Sequence, residues 1–294
     1  MLNYPIVKVK TKDGLELGGM LFEPEDKKLK TIKIHVPGDG GSFWWSDYYP
    51  LLAESSINQG IAFLSGNNRG SAVFTNSSDD PVPSGVSAEI FSDCILDFDA
   101  WIKFVLGKGY EKIILEGHSR GTEKTVYYLN HGQYVDKVVG VILMGFSDHI
   151  GTQLGFEKKI GHDFVEEARQ MIKAGKGDNL LSDLRALAGE LPYTAKSYMD
   201  VIQPDSANSK ALSLRQGKNL TYFQNIKVPI LGVIGDQFEY TIIPIKDAIK
   251  LLMTENPLAE AYQIKDCDHC FIGKETELTK IVADFTQRRI LPNL

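Results

Sequence analysis

The chain has 294 residues, of which 43% are hydrophobic and 24% are charged, and this balance is typical of a folded globular protein rather than a disordered one. Its 32 Lys and Arg residues stand against 38 Asp and Glu residues, which gives a formal net charge of -6 without any basic run. This charge distribution argues against nucleic acid or an anionic membrane surface as a partner. The length suits one large α/β core with an insertion.

The first predicted element is an antiparallel hairpin, IVKVKTKDGLELGGMLFEP, which turns at Asp13-Gly14. Strand-like and helical runs then alternate, in the order TIKIHVPG, YYPLLAESSINQG, GIAFLSGN and AEIFSDCILDFDAWIKFVLGKG. A strand follows from Lys112 to Glu116, then a helix from Thr122 to near Gly132, then the strand VVGVILMG. Such alternation predicts a mostly parallel sheet with helices on both faces.

The alternation stops between residues 146 and 224. HDFVEEARQMIKAGKGDNLLSDLRALAGEL has a helical pattern, and the polar residues after it carry few strand signals. Strands resume at VPILGVIGD and EAYQIKD, before a last helix with apolar residues at helical spacing. We therefore predict a core formed by residues 1–145 and 225–294, with residues 146–224 as a helical cap above the sheet. The alternative is a set of ordinary extra helices beside the sheet.

The N-terminal residues MLNYPIVKVKTKDG lack a basic segment followed by an apolar one, and no stretch is long enough to span a membrane. We therefore expect a cytoplasmic protein. The three cysteines, Cys94, Cys267 and Cys270, cannot all pair and do not suggest a disulfide scaffold. The sequence leaves the oligomeric state open, a homo-oligomer included.

The most informative motif is Gly117-His118-Ser119-Arg120-Gly121, between a predicted strand and a predicted helix. A G-x-S-x-G in this context is typical of a nucleophile elbow, where glycines permit a sharp bend that lifts the serine hydroxyl above the sheet. The alternative is that Ser119 merely caps the following helix.

A serine nucleophile needs a general base, and His269 is the best placed of the six histidines. It follows a late strand and precedes the final helix, and the ends of parallel strands gather at one edge of a sheet. The remaining histidines, at positions 35, 118, 131, 149 and 162, lack this placement, although His118 lies inside the elbow.

These segments resemble the α/β-hydrolase family. The resemblance covers most of the chain and includes the hairpin, VPGDGGS, GNNRG at 66–70, the elbow, the turn after VPILGV and DHCFIGKE. It implies an α/β-hydrolase fold, a Ser-acid-His order along the chain and a covalent acyl-enzyme formed from a small acyl substrate. It implies no metal and no organic cofactor.

The acid of the triad stays open between three carboxylates. The family often carries an aspartate at the position of Phe238, so this sequence departs from the pattern there. Glu239 is our first choice because its extra methylene extends its reach, Asp236 is second, and Asp148, after the VVGVILMG strand, is third.

Two backbone N–H groups are candidates for the oxyanion hole. One is that of Arg120, the residue after the nucleophile, and the other is that of Asp39 in the Pro37-Gly38-Asp39-Gly40-Gly41 loop. The family typically has His-Gly-x-Gly-Gly here, so Pro37 replaces the histidine. We predict that the Asp39 carboxylate points away from the oxyanion, since a negative charge would oppose it.

We interpret the chain as a serine hydrolase that cleaves a carboxylic ester. The same triad would serve a thioesterase, an amidase or a C–C hydrolase, and the departure at Phe238 keeps a catalytically silent binding protein as an alternative. The cysteines beside His269 do not predict a zinc site, because no second Cys/His pair exists. Arg69 and Arg120 are candidates either for contacting an anionic substrate group or for holding neighbouring loops.

Overall fold

The computed structural model describes residues 5–24, 28–74 and 83–294, so the first four residues of the N-terminal stretch considered above lie outside it. Its centre is one eight-stranded sheet with the strand order β1-β2-β4-β3-β5-β6-β7-β8. The strands are β1 (Ile6–Lys10), β2 (Glu16–Phe22), β3 (Thr31–Val36), β4 (Ile61–Gly66), β5 (Lys112–His118), β6 (Val138–Met144), β7 (Ile230–Ile234) and β8 (Ala259–Gln263).

Strand β2 is antiparallel to both of its neighbours, and all the other neighbouring pairs are parallel. The predicted hairpin and the predicted mostly parallel sheet are therefore confirmed. The helices are α1 (Tyr48–Asn58), α2 (Cys94–Gly107), α3 (Arg120–His131), α4 (His149–Ile160), α5 (Val165–Lys173), α6 (Ala195–Ile202), α7 (Ala207–Ala211), α8 (Thr221–Gln224), α9 (Ile245–Glu255) and α10 (Glu275–Phe285).

Helices cover both faces of the sheet, so side chains on both faces are buried. Successive side chains of a strand point to opposite faces. Ile113 and Leu115 of β5 belong to a core shared with α2 and α9, whereas Ile114 between them belongs to a core shared with α1 and α10. This is the physical reason for the continuous apolar runs in the parallel strands.

Residues 146–224 contain helices α4 to α8 and contribute no strand to the sheet. The helix predicted over residues 162–191 is wrong beyond Lys173, because Gly175 adopts φ +72° and the chain continues in turns. Several buried side chains of this segment form a third hydrophobic cluster, which includes Phe164, Tyr193 and Tyr198. No described helix has the length and apolarity needed to cross a membrane.

Candidate active site

Ser119 lies at the sharp turn between β5 and α3. Its backbone has φ 54° and ψ -128°, a conformation that non-glycine residues rarely adopt. The Ser119 N–H donates a 2.9 Å hydrogen bond to the Met144 carbonyl on the adjacent strand β6. The hydroxyl makes no capping hydrogen bond with α3, so the serine is not placed there as a helix cap.

The two glycines of the motif are required by close packing. A Cβ on Gly117 would lie 2.4 Å from the Gly121 carbonyl oxygen, and a Cβ on Gly121 would lie 2.4 Å from the Val36 carbonyl oxygen. The backbones of β3, β5 and α3 therefore approach too closely for a side chain at either position. This packing explains the G-x-S-x-G spacing around the serine.

His269 lies between β8 and α10, with its Nδ1 2.6 Å from Glu239 Oε2. The other oxygen of Glu239 accepts a 2.8 Å hydrogen bond from the Gly235 N–H, and the side chain is only 1% exposed. The Glu239 carboxylate is therefore hydrogen-bonded through both of its oxygens. It stabilises the tautomer in which Nδ1 carries the proton, so that Nε2 is free to accept one.

Phe238 explains how Glu239, one position beyond the aspartate that the family resemblance implies, reaches His269. This residue has φ 56°, in the left-handed region, and it is 84% exposed. The unusual backbone places the Phe238 ring outside the core and brings the next side chain, Glu239, to the imidazole.

The other two acid candidates have different partners. The Asp236 carboxylate accepts the N–H groups of Asp266 and Cys267, both at 3.0 Å, and these hydrogen bonds lower its pKa. Asp148 caps the N-terminus of α4 and forms an ion pair of 2.5 Å with Arg215. Neither carboxylate hydrogen-bonds to His269 within the described ranges, so the structure brings the histidine together with Glu239 alone.

Ser119 and His269 line the same cavity, which has a volume of about 380 Å³. Part of its wall is apolar and includes Trp45, Leu187 and Leu191. The Nε2 atom of His269 is buried and makes no hydrogen bond to any described residue. The accepting lone pair of this nitrogen therefore stays unused beside the cavity that Ser119 lines.

The loop after β3 reaches the same cavity. Gly38 lies against Ser119, since a Cβ on Gly38 would be 2.5 Å from the Cβ of Ser119. The next residue, Asp39, lines the cavity together with Arg120. The Arg120 N–H is at the start of α3, where an N–H has no partner within the helix. Both predicted oxyanion residues are therefore adjacent to Ser119.

The Asp39 carboxylate has positively polarised partners. It lies 3.5 Å from Arg120 Nη1 and 3.3 Å from His149 Nδ1. Burial opposes its ionisation, but the Arg120 guanidinium and the His149 ring hold the pKa of Asp39 well below its usual range. The Asp39 carboxylate is therefore held in its ionised form beside the Arg120 side chain.

A buried cluster of charges beneath this loop was missed from the sequence. Arg120 Nη1 lies 3.1 Å from Glu89 Oε1, and Lys124 Nζ lies 2.6 Å from Glu89 Oε2. All three side chains are at most 1% exposed. The position of α3 could have indicated this cluster. A helix that directly follows a central strand lies inside the fold, so its polar side chains need buried partners.

Two histidines set aside in the sequence analysis also lie at the site. His149 lines the cavity, and its Nε2 is 2.6 Å from the Tyr193 hydroxyl. His118 Nε2 lies 2.8 Å from the His269 carbonyl, and burial, with the neighbouring His269 imidazole, lowers the pKa of His118 to about 3. A neutral His118 therefore donates this hydrogen bond and fixes the backbone of the His269 loop.

Arg69 holds neighbouring loops. Its guanidinium lies 2.9 Å from Asp97 and 3.1 Å from Asp13, and its side chain is 5% exposed. Cys94, Cys267 and Cys270 are unpaired thiols. Among the described residues no group of three or more His, Cys, Asp or Glu side chains is arranged to hold a metal ion.

The strand order, the serine turn after β5 and the histidine loop after β8 define an α/β-hydrolase fold. Residues 96–254, more than half of the chain, match the family described as "Protein of unknown function (DUF1749)", and the chain belongs to this family. A comparison with curated proteins found no match.

Solved structures with the same fold include three proteins similar to this chain over nearly its whole length. Est1E from Butyrivibrio proteoclasticus with bound ferulic acid has a TM-score of 0.66 at 14% identity, covering 97% of this chain and 99% of Est1E. A soluble variant of monoglyceride lipase from Saccharomyces cerevisiae has a TM-score of 0.66 at 14% identity, with 97% and 96% covered. A carboxyl esterase from Bacillus coagulans has 0.66 at 15% identity, with 99% and 100% covered. At such identities the likeness establishes the fold.

Proposed function

We propose that this protein is a serine hydrolase that cleaves carboxylic esters through Ser119, His269 and Glu239. The observation that carries the proposal is the shared cavity: the serine at the strained turn and the histidine with its 2.6 Å carboxylate partner both line it. The esterase and lipase titles of the structural neighbours agree with it.

The reaction follows from the placement of these groups. His269 Nε2 takes the hydroxyl proton as Ser119 Oγ attacks the acyl carbon, and Glu239 stabilises the imidazolium that forms. The N–H groups of Asp39 and Arg120 stabilise the oxyanion. The imidazolium then protonates the leaving alcohol, and a water activated by His269 hydrolyses the acyl-enzyme.

In this proposal, residues 146–224 act as a cap that shapes the substrate site. Two observations support this role. The segment supplies most of a hydrophobic cluster separate from the two cores of the sheet, and Leu187 and Leu191 from it form part of the apolar cavity wall. The substrate is accordingly a small ester whose acyl or alcohol part contacts that wall.

The proposal is tested by intact-mass spectrometry after treatment with a fluorophosphonate. We expect one adduct on the wild type and none on Ser119→Ala or His269→Ala, because Ser119 is the group that is labelled and His269 activates it. Ester hydrolysis by each variant should fall by about 10⁴-fold or more, as for members of a triad that act as a unit. Retained hydrolysis in Ser119→Ala would exclude this nucleophile, and an unlabelled wild type that hydrolyses no ester would favour a silent binding protein.

A further inference from the structure

A tyrosine next to the proposed acid contacts the proposed general base. The Tyr240 ring packs edge-on against the His269 ring, with 4.7 Å between the ring centroids and 77° between the planes. Both residues line the cavity. The triad chemistry described above makes no use of this tyrosine.

Tyr240 is held at both ends by the segment 146–224. Its hydroxyl donates a 2.8 Å hydrogen bond to Glu190 Oε1. Its backbone carbonyl accepts a 2.9 Å hydrogen bond from the Asp148 N–H at the start of α4. The side chain therefore bridges the proposed cap and the imidazole.

Glu190 belongs to a tight turn, residues 187–191, that forms part of the cavity wall. The Leu187 N–H donates a 2.8 Å hydrogen bond to the Leu191 carbonyl and closes the turn. Ala188 and Gly189 both have positive φ, at 53° and 85°. Leu191 reaches the oxyanion loop, since a Cβ on Gly40 would lie 3.9 Å from its Cδ1. Glu190 thus links this turn to Tyr240, and Leu191 brings the same turn close to the loop of residues 37–41.

We propose that Tyr240, held by Glu190, is a positioning residue that couples the turn 187–191 to the orientation of the His269 imidazole. The inference rests on the proposed hydrolase function. A carboxylate at Nδ1 fixes one atom of the imidazole but leaves the ring free to tilt about that hydrogen bond. A side chain packed against the ring restricts the tilt, and it does so only while its own hydroxyl end is held.

Three substitutions test the Tyr240 hydroxyl and its acceptor Glu190 separately. Tyr240→Phe keeps the ring and removes the hydroxyl, Glu190→Ala removes the acceptor, and Glu190→Gln keeps an acceptor oxygen. We expect kcat for a small neutral ester to fall about three- to tenfold in Tyr240→Phe and in Glu190→Ala, the range that corresponds to one ordinary, solvent-exposed hydrogen bond. KM for that ester should change by less than about twofold, because the orientation of the imidazole affects the proton transfer rather than the contacts that bind the substrate.

Three further comparisons distinguish loss of the Tyr240–Glu190 hydrogen bond from other effects of the substitutions. The double variant Tyr240→Phe/Glu190→Ala should be no slower than the slower single variant, because both changes remove the same hydrogen bond. Glu190→Gln should recover most of the rate lost in Glu190→Ala. Glu166→Ala, which removes an exposed glutamate of α5 paired with Arg169, is the matched control and should leave kcat unchanged.

A second readout does not depend on ester hydrolysis. The His269 Nδ1 proton in the 2.6 Å contact with Glu239 should give a downfield proton NMR signal. We expect it to broaden through exchange in Tyr240→Phe and Glu190→Ala but not in Glu190→Gln. If the signal responds in this way but the wild type hydrolyses no ester, the proposed function fails and the coupling stands. Additive losses in the double variant, or an unchanged kcat and signal in Tyr240→Phe, would overturn the coupling.

Discussion

Among single residues, Phe238 has the largest influence on how the site is assembled. Its left-handed backbone costs on the order of 1–3 kcal/mol for a residue with a side chain. This cost is offset because the following carboxylate gains the Gly235 N–H and the His269 ring as partners in a buried position. The contact between Glu239 and His269, one position beyond the expected acid, is therefore accommodated by local backbone conformation.

This geometry predicts different outcomes at the two carboxylates of the turn. Glu239→Gln should lower kcat/KM for an ester by about 10³-fold or more, since an amide neither enforces the tautomer nor stabilises the imidazolium. Asp236→Asn should cost less than about tenfold, because an amide oxygen still accepts one of the two backbone N–H groups that this side chain now binds. Steady-state kinetics of both variants check the ranking.

The reverse ranking would overturn the assignment of Glu239 as the acid. Asp236→Asn also serves as the matched control, since it makes the same carboxylate-to-amide change in the same turn. Its effect should appear in thermal stability, because the hydrogen bonds of Asp236 tie the turn to the loop that precedes His269.

On the scale of elements, α3 is unusual because it begins directly after Ser119 and buries charged side chains. Glu123 on this helix accepts a 2.6 Å hydrogen bond from the His149 N–H and a 3.0 Å hydrogen bond from Asn208. Burial, with the nearby Asp148 carboxylate, raises the pKa of Glu123 to about 8. The helix thus carries a carboxyl group that is protonated near neutral pH and lies against α4 and α7.

The raised pKa predicts a pH dependence of stability. Between the ordinary value of 4.5 and about 8, the folded protein binds more protons at Glu123 than the unfolded chain does. The free energy of unfolding should therefore fall as pH rises through this window, by up to about 1.4 kcal/mol per pH unit, and this contribution should level off above it. Glu123→Gln cannot ionise and should flatten the slope.

Urea unfolding at several pH values measures that slope. Glu54→Gln, which changes an exposed glutamate of α1, is the control and should keep the wild-type slope. A slope in Glu123→Gln equal to that of the wild type would show that Glu123 does not titrate in this window. The comparison uses slopes rather than absolute stabilities, because the amide also changes the hydrogen bonds to Asn208.

On the scale of the whole molecule, the proposed function leads us to expect that charge around the cavity sets the preference among esters. The charged acids and bases in its lining are four carboxylates, those of Asp39, Asp47, Glu190 and Glu275, and one guanidinium, that of Arg120. Arg120 is already paired with Glu89, and Arg69 is paired with Asp97 and Asp13. Neither arginine considered from the sequence is therefore free to bind an anionic group.

We expect a neutral ester to be preferred over the same ester with an added carboxylate. The ratio of kcat/KM should be about tenfold or more at low salt and should shrink as ionic strength rises, because salt screens the lining carboxylates. A p-nitrophenyl butyrate and p-nitrophenyl hemisuccinate pair provides the comparison. Equal kcat/KM values for the two esters, or a higher value for the hemisuccinate, would show that the lining carboxylates do not repel an anionic substrate.

Local patterns in the sequence were sufficient for the elements that position the site. The hairpin, the alternating strands and helices, and the glycines around Ser119 were predictable because backbone turns and two-sided burial restrict residue type locally. The order Ser119 then His269 also follows from the order of elements along the chain. The departure at Phe238 was visible as well, although its consequence was not.

Tertiary structure decided what depends on long-range contacts. The choice of Glu239 over Asp236 required the backbone conformation of Phe238 and the placement of the His269 loop, which lies some thirty residues further along the chain. The burial of Glu89 and Lys124, and the hydrogen bond from Tyr240 to Glu190, join segments with no shared local pattern. A sequence specifies hydrophobic periodicity and turn chemistry locally, whereas the partner of a buried charge is set by which distant segments the fold brings together.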